Sequence, residues 1–153
     1  AAARELAKRG AYGIDGVVST AVGRALAGSK VVALDGDIAF LHDCNALVWL
    51  SDRGVDLTVV VVDNGGGGIF SFLPQADRLA PGRFEQLFGT PHRSDVAAVA
   101  RAHGIDATSP DTADDLTDAV RSPGPQVVRV ATDRAQNVVL HGLLNAAVAA
   151  VQR

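Results

Sequence analysis

The chain has 153 residues, the length of one ordinary domain, with 48% hydrophobic and 20% charged residues, which is enough apolar side chain for a core and too little net charge for disorder. Its 14 Lys and Arg stand against 17 Asp and Glu, and with five Phe, one Tyr and one Trp this excludes a general nucleic-acid binder and an aromatic platform for stacking bases. The single cysteine, Cys44, excludes a disulfide framework and a multi-cysteine zinc site.

In chain order, the opening Ala1 to Gly10 carries no apolar stretch of the signal-peptide kind. Gly16 to Ala27 has a helical pattern. Lys30 to Leu34 and Leu57 to Val62 are short β-branched runs, continuously apolar after their first polar positions, as expected of strands buried on both faces of a parallel sheet. Between them, Ala39 to Ser51 interleaves Phe40, Leu41, Leu47, Val48 and Leu50 with polar residues and reads as the crossover helix. Ile69 to Pro91 has no long period but holds four Phe and three Pro, and reads either as a functional lid or as an irregular connection pinned by its aromatics. Helical patterns return over Ser94 to His103 and Thr112 to Arg121, with Ser94 and Thr112 as expected N-caps. A third strand covers Gln126 to Ala131, and Asp133 to Val151 closes the chain as a helix. The uncharged run Ala135 to Val151 contains Gln136, Asn137, His141 and Asn145, too polar for a membrane span, and is expected to be an amphipathic surface helix. Alternating strands and helices predict a single α/β domain, an open, mostly parallel sheet with helices on both faces. The protein is expected to be soluble and cytoplasmic.

In open α/β sheets ligands sit beyond the carboxyl ends of the strands. The first strand runs into Asp35-Gly36-Asp37-Ile38, and the second into Asp63-Asn64 followed by Gly65 to Gly68. A βαβ unit brings Asp37 and Asn64 side by side at one sheet edge. A carboxylate, an amide oxygen and free glycine carbonyls are hard donors suited to magnesium, with room left for phosphate oxygens. The glycine run lacks the Gly-Lys-Ser/Thr ending of a Walker loop, and no G-x-G-x-x-G follows a strand. The competing reading makes Asp37 a helix cap and the glycines a turn.

Gly36-Asp37, about thirty residues of βαβ, then Asn64 resembles the thiamine diphosphate fingerprint. The segments Gly36 to Asp43, Asn64 to Pro74, Phe88 to His92 and Arg9 to Gly16 together resemble one family, the menaquinone-pathway synthases that make 2-succinyl-5-enolpyruvyl-6-hydroxy-3-cyclohexene-1-carboxylate. The resemblance covers that family's C-terminal, diphosphate-binding part. It implies thiamine diphosphate and magnesium as cofactors, with Asp37, Asn64 and the carbonyl of Gly66 as magnesium ligands. Gly36, Ile38 and Ala39 would line the diphosphate, with Gly67 in the cofactor-binding set. Ile14 would prop the cofactor in its bent form, Ile69, Phe70 and Leu73 would wall the active site, and Arg9 would face a substrate carboxylate.

The same resemblance implies a transferase that decarboxylates 2-oxoglutarate and adds the succinyl semialdehyde unit to isochorismate, working as a homodimer or homotetramer. Its proton-removing glutamate would sit on a separate N-terminal, pyrimidine-binding domain; Glu5 and Glu85 are the only glutamates here, and neither lies in a matching motif. The alternatives are another thiamine-dependent 2-oxoacid decarboxylase or carboligase, or a non-catalytic phosphate-binding module. The sequence departs from the family at Lys8, Ala39, Asp63 and Gly65, and Asp63 adds a negative charge beside the site. His42, His92, His103 and His141 show no paired metal-site spacing and are expected to be structural or on the surface. The aspartates between Asp106 and Asp118 read as a solvated face, Cys44 as a small core residue, and Ser19 lacks the setting of a hydrolase nucleophile.

Overall fold

The computed structural model describes residues 5–7 and 13–151. Arg9 and Lys8 lie outside the described residues. Four strands form one parallel sheet: β1 (Val31–Gly36), β2 (Leu57–Asp63), β3 (Asp106–Thr108) and β4 (Gln126–Ala131), in the spatial order β1-β2-β4-β3. The sequence shows β1, β2 and β4; β3, with three residues, is too short to carry a period.

The helices are α1 (Val17–Leu26), α2 (Asp37–Asp43), α3 (Gln75–Arg78), α4 (Pro81–Phe84), α5 (Val96–Ala102), α6 (Ala113–Arg121) and α7 (Arg134–Val151). The crossover read as one helix is α2 followed by a 3-10 turn, Cys44–Trp49. Thr112 caps α6 by accepting from the Asp115 N–H. At α5 the cap is Asp95, which accepts from the Ala98 N–H, in place of the expected Ser94.

The core lies between the sheet and α1, α2, the 3-10 turn and α5. Leu57, Val59, Val61 and Val127 point into it with Val18, Phe40, Leu47, Val96 and Ala100. On the opposite sheet face the Gln126 amide donates to Thr58 Oγ1 and to the Ala119 carbonyl of α6, so helices cover both faces, as expected. Cys44 packs partly buried against the core. Ser19 is tied into the scaffold, its N–H and hydroxyl both donating to Asp43 of α2.

Two expectations about burial are corrected. Of the two β-branched runs only β2 is buried on both faces; β1 alternates, with Leu34 73% exposed, because the face that carries Val32 and Leu34 has no cover among the described residues. And α7 buries no residue: Val139, Leu140, Leu143, Leu144 and Val148 all stay more than half exposed, so its apolar side has no cover among the described residues. No helix among the described residues is long and apolar enough to cross a membrane.

Ile69 to Pro91 is a string of short helical pieces: a 3-10 turn (Gly68–Phe72), α3, α4 and a π turn (Glu85–Gly89). Phe84 stacks on Phe88 with ring centroids 5.6 Å apart, and Phe88 meets Phe70 at 6.0 Å. The segment is fastened to α7 by Arg134, which donates to Glu85 Oε2 at 2.9 Å, and by the edge-on contact of Phe72 with His141.

Candidate cofactor and metal site

Parallel pairing of β1 with β2 sets Gly36 opposite Val62, so both strands end at the same edge and Asp37 and Asn64 emerge together. Asp37 is the first residue of α2, 1% exposed, and Gly36 takes the cap position. Its Oδ1 accepts the Ile38 N–H at 2.8 Å. Its Oδ2 accepts the N–H groups of Asn64 at 3.2 Å and Gly66 at 2.9 Å, which folds the glycine loop back onto the carboxylate. The side-chain Oδ1 of Asn64 is buried and has no partner. A buried amide oxygen without a donor costs on the order of 1–3 kcal/mol, so its natural complement is a cation or a donor from a ligand. Beside it Asp37 Oδ1 accepts one local N–H only among the described contacts. Both are hard oxygen donors, and together they fit magnesium.

The glycines are required by space. Gly66 has φ +152, and a Cβ there would run into the Gly89 carbonyl. A Cβ on Gly68 would lie 2.6 Å from Asn64 Nδ2 and displace the amide. The loop is joined to the aromatic segment by the Gly67 N–H, which donates to the Gly89 carbonyl at 2.8 Å. The Gly66 carbonyl accepts the Gly68 N–H at 2.9 Å and keeps a second lone pair.

Two clefts open on either side of Asn64. One, about 800 Å³, is lined by Asp63, His92, Arg101, Arg129 and Thr132, and a second, about 500 Å³, by Ser71, Glu85, Asp133 and Arg134. Asp63 does not present a free charge to the site. Arg129 Nε donates to its Oδ2 at 2.6 Å and the Gly65 N–H to its Oδ1 at 3.1 Å. Burial pushes the Asp63 carboxyl up, but the Arg129 hydrogen bond, the Gly65 amide and the Arg129 charge outweigh it and hold the group below its ordinary value.

Residues 5–130 match the family described as thiamine pyrophosphate enzyme, C-terminal TPP binding domain. The chain belongs to this family. Over 151 residues it is 49% identical to the 2-succinyl-5-enolpyruvyl-6-hydroxy-3-cyclohexene-1-carboxylate synthase of Myxococcus xanthus, covering 96% of this chain and 26% of the relative. The synthases of the same name from Saccharopolyspora erythraea and Thermobifida fusca are 46% and 47% identical, over 92% and 98% of this chain and 26% and 28% of theirs. The chain thus spans about a quarter of the length of these relatives. Among solved structures, the thiamine diphosphate-dependent 4-hydroxybenzoylformate decarboxylase of Rhodococcus jostii RHA1 superposes with a TM-score of 0.63 at 23% identity, over 76% of this chain and 23% of that one, a likeness of fold.

Within this TPP-binding domain the expected residues fall into three groups. Gly36, Asp37, Ile38, Ala39, Asn64, Gly66 and Gly67 gather at the β1 and β2 ends. Ile69 and Phe70 lie on the 3-10 turn directly after the glycines with Leu73 just beyond it, and all three are exposed. Ile14 is exposed in the stretch leading into α1, and Arg9 lies outside the described residues. His92 is the residue that the sequence reading missed. Expected to be structural or on the surface and given no place in the site, it has a side chain 14% exposed whose Nε2 lies 3.1 Å from Asp37 Oδ2. One ligand atom from each of Asp37, Asp63 and His92 falls within 4.8 Å of the others. Its only sequence signal is its place at the end of Phe88 to His92, one of the family-like segments. Glu85 is paired with Arg134.

Proposed function

We propose that this chain is the diphosphate- and magnesium-binding part of a multidomain, cytoplasmic transferase that makes 2-succinyl-5-enolpyruvyl-6-hydroxy-3-cyclohexene-1-carboxylate. The observation that carries this reading is the near-half identity, over almost the whole chain, to relatives bearing that name. The buried, partnerless amide oxygen of Asn64 beside Asp37 supports the cofactor half of it.

In this reading Asp37, Asn64 and the Gly66 carbonyl hold magnesium against the diphosphate, while Gly36, Ile38, Ala39 and Gly67 line it. When bound, thiamine diphosphate supplies the electron sink for decarboxylating 2-oxoglutarate and passing the succinyl semialdehyde unit to isochorismate. Ile14 supports the cofactor from the α1 side. Ile69, Phe70 and Leu73, exposed in this domain, form an apolar wall that keeps water from the reacting atoms once the rest of the protein covers them. Arg9 grips a substrate carboxylate with its planar fork. Glu85 is engaged by Arg134. As the family resemblance implies, the proton-handling glutamate would come from the N-terminal pyrimidine-binding domain, in a homodimer or homotetramer.

The test is an assay of the full-length protein with thiamine diphosphate, magnesium, 2-oxoglutarate and isochorismate. Formation of the named product, dependent on both substrates, is expected. Turnover of other 2-oxoacids with no use of isochorismate would replace this reading by another carboligase. Magnesium-dependent cofactor binding without turnover would reduce the protein to a binding module.

A further inference from the structure

We propose that His92 is a positioning residue: its ring holds the Asp37 carboxylate by one oxygen and so keeps the other free for a cation. This rests on the reading of Asp37 as a magnesium ligand.

The hydrogen-bond count around the carboxylate is uneven. Among the described residues Oδ2 receives three donors, the N–H groups of Asn64 and Gly66 and the His92 ring, whereas Oδ1 receives one, the Ile38 N–H. Each carboxylate oxygen offers about two lone-pair directions, so Oδ2 is saturated and Oδ1 keeps one. Without His92 the two backbone donors remain, but among the described residues no other hydrogen-bond donor from outside the β1 and β2 ends holds the carboxylate's rotation.

The ring is set up to donate. Its Nδ1 accepts the Ser94 N–H at 3.3 Å, which leaves the ring proton on Nε2, facing Asp37 Oδ2. This also separates positioning from ligation. A ring that accepts at Nδ1 and donates from Nε2 has no lone pair for a metal, although Asp37, Asp63 and His92 lie close enough together to suggest a three-residue metal cluster.

The backbone is bent to deliver the ring. Thr90 has φ +37 and is the one non-glycine residue with positive φ among those described, an unfavourable conformation for a β-branched side chain. It turns the chain out of the π turn so that His92 reaches back to Asp37, 55 positions earlier. The same corner, through the Gly89 carbonyl, receives the Gly67 N–H, so loop and ring are set by one piece of chain.

The experiment uses the full-length protein and titrates magnesium by calorimetry in the presence of thiamine diphosphate, with the melting temperature of the cofactor-free protein measured alongside. His92→Ala is expected to weaken magnesium about tenfold, the usual scale for a residue that orients a ligand. His92→Gln, whose side-chain amide also donates at this reach, is expected to restore most of the affinity, with the melting temperature of both variants near wild type. Wild-type magnesium affinity in His92→Ala, while Asp37→Ala has lost it, would overturn the positioning role alone. Wild-type affinity in Asp37→Ala would overturn the magnesium reading itself. Equal losses in the Ala and Gln variants, tracking a fall in melting temperature, would make His92 merely structural and overturn the proposal. A loss in His92→Ala confined to cobalt, with magnesium unaffected, would make the ring a ligand and overturn it too.

Discussion

Arg129 Nε lies 2.6 Å from Asp63 Oδ2, so the extra carboxylate at the end of β2 is neutralised from the neighbouring strand β4 before any ligand arrives. The pair spans two adjacent strands, Arg129 standing opposite Val61 and Asp63 two residues further along β2, and it leaves the hard-oxygen edge at Asp37 and Asn64 without a competing free charge.

This pair predicts a pH-dependent stability. Asp63 is held below its ordinary value of 3.8, so its contribution is fully present above that value and is lost as pH falls through the lower folded-state value. Arg129→Ala leaves a nearly buried carboxylate without its cation and is expected to cost about 2 kcal/mol at pH 7, a figure reduced because Arg129 is partly exposed. Denaturant unfolding at pH 7 and at pH 3 checks this: the gap between wild type and variant should shrink at the lower pH, and a gap that stays constant would contradict it.

The metal ligands should be unequal. In the full-length protein Asp37→Ala is expected to abolish magnesium-dependent thiamine diphosphate binding, since it removes the one charged donor to a doubly charged ion. Asn64→Ala removes a neutral amide and should weaken binding less. Calorimetry with magnesium present ranks the two, and the reverse order would refute the assignment.

Gly68→Ala probes the Asn64 amide without touching a ligand. The backbone at Gly68 is not left-handed, yet a Cβ would sit 2.6 Å from Asn64 Nδ2 and 3.1 Å from its Cγ. The amide has to move, so cofactor affinity should fall several-fold with little change in melting temperature. Gly82→Ala, which meets nothing within 4 Å, is the matched control and should behave as wild type.

The 153-residue chain by itself is expected to show no synthase turnover. Glu85 is bound to Arg134, and Glu5 is exposed in the short described stretch before α1. Its uncovered apolar side chains on α7 and on the edge of β1 are expected to drive self-association. Size-exclusion chromatography and an assay with isochorismate and 2-oxoglutarate test both expectations, and robust activity of the isolated chain would show that no outside glutamate is needed.

Much of this site was legible in the residues alone. Two β-branched runs joined by a helical crossover must end at one edge in a parallel sheet, so Asp37 and Asn64 meet whatever the rest of the chain does. The glycine run announces a close backbone approach, and Gly66 and Gly68 show where that approach is made. Strand periodicity, in contrast, reports side-chain alternation and not what covers each face, so it did not tell that Leu34 of β1 stays outside. Tertiary structure alone decided which distant groups serve the site. His92 reaches Asp37 across 55 positions, Arg129 reaches Asp63 across 66, and Arg134 reaches Glu85 across 49. None of these spacings is a period of helix or strand. Each contact is set by where a loop turns or which strand inserts next to which, and those are properties of the packed chain, not of any local run of residues.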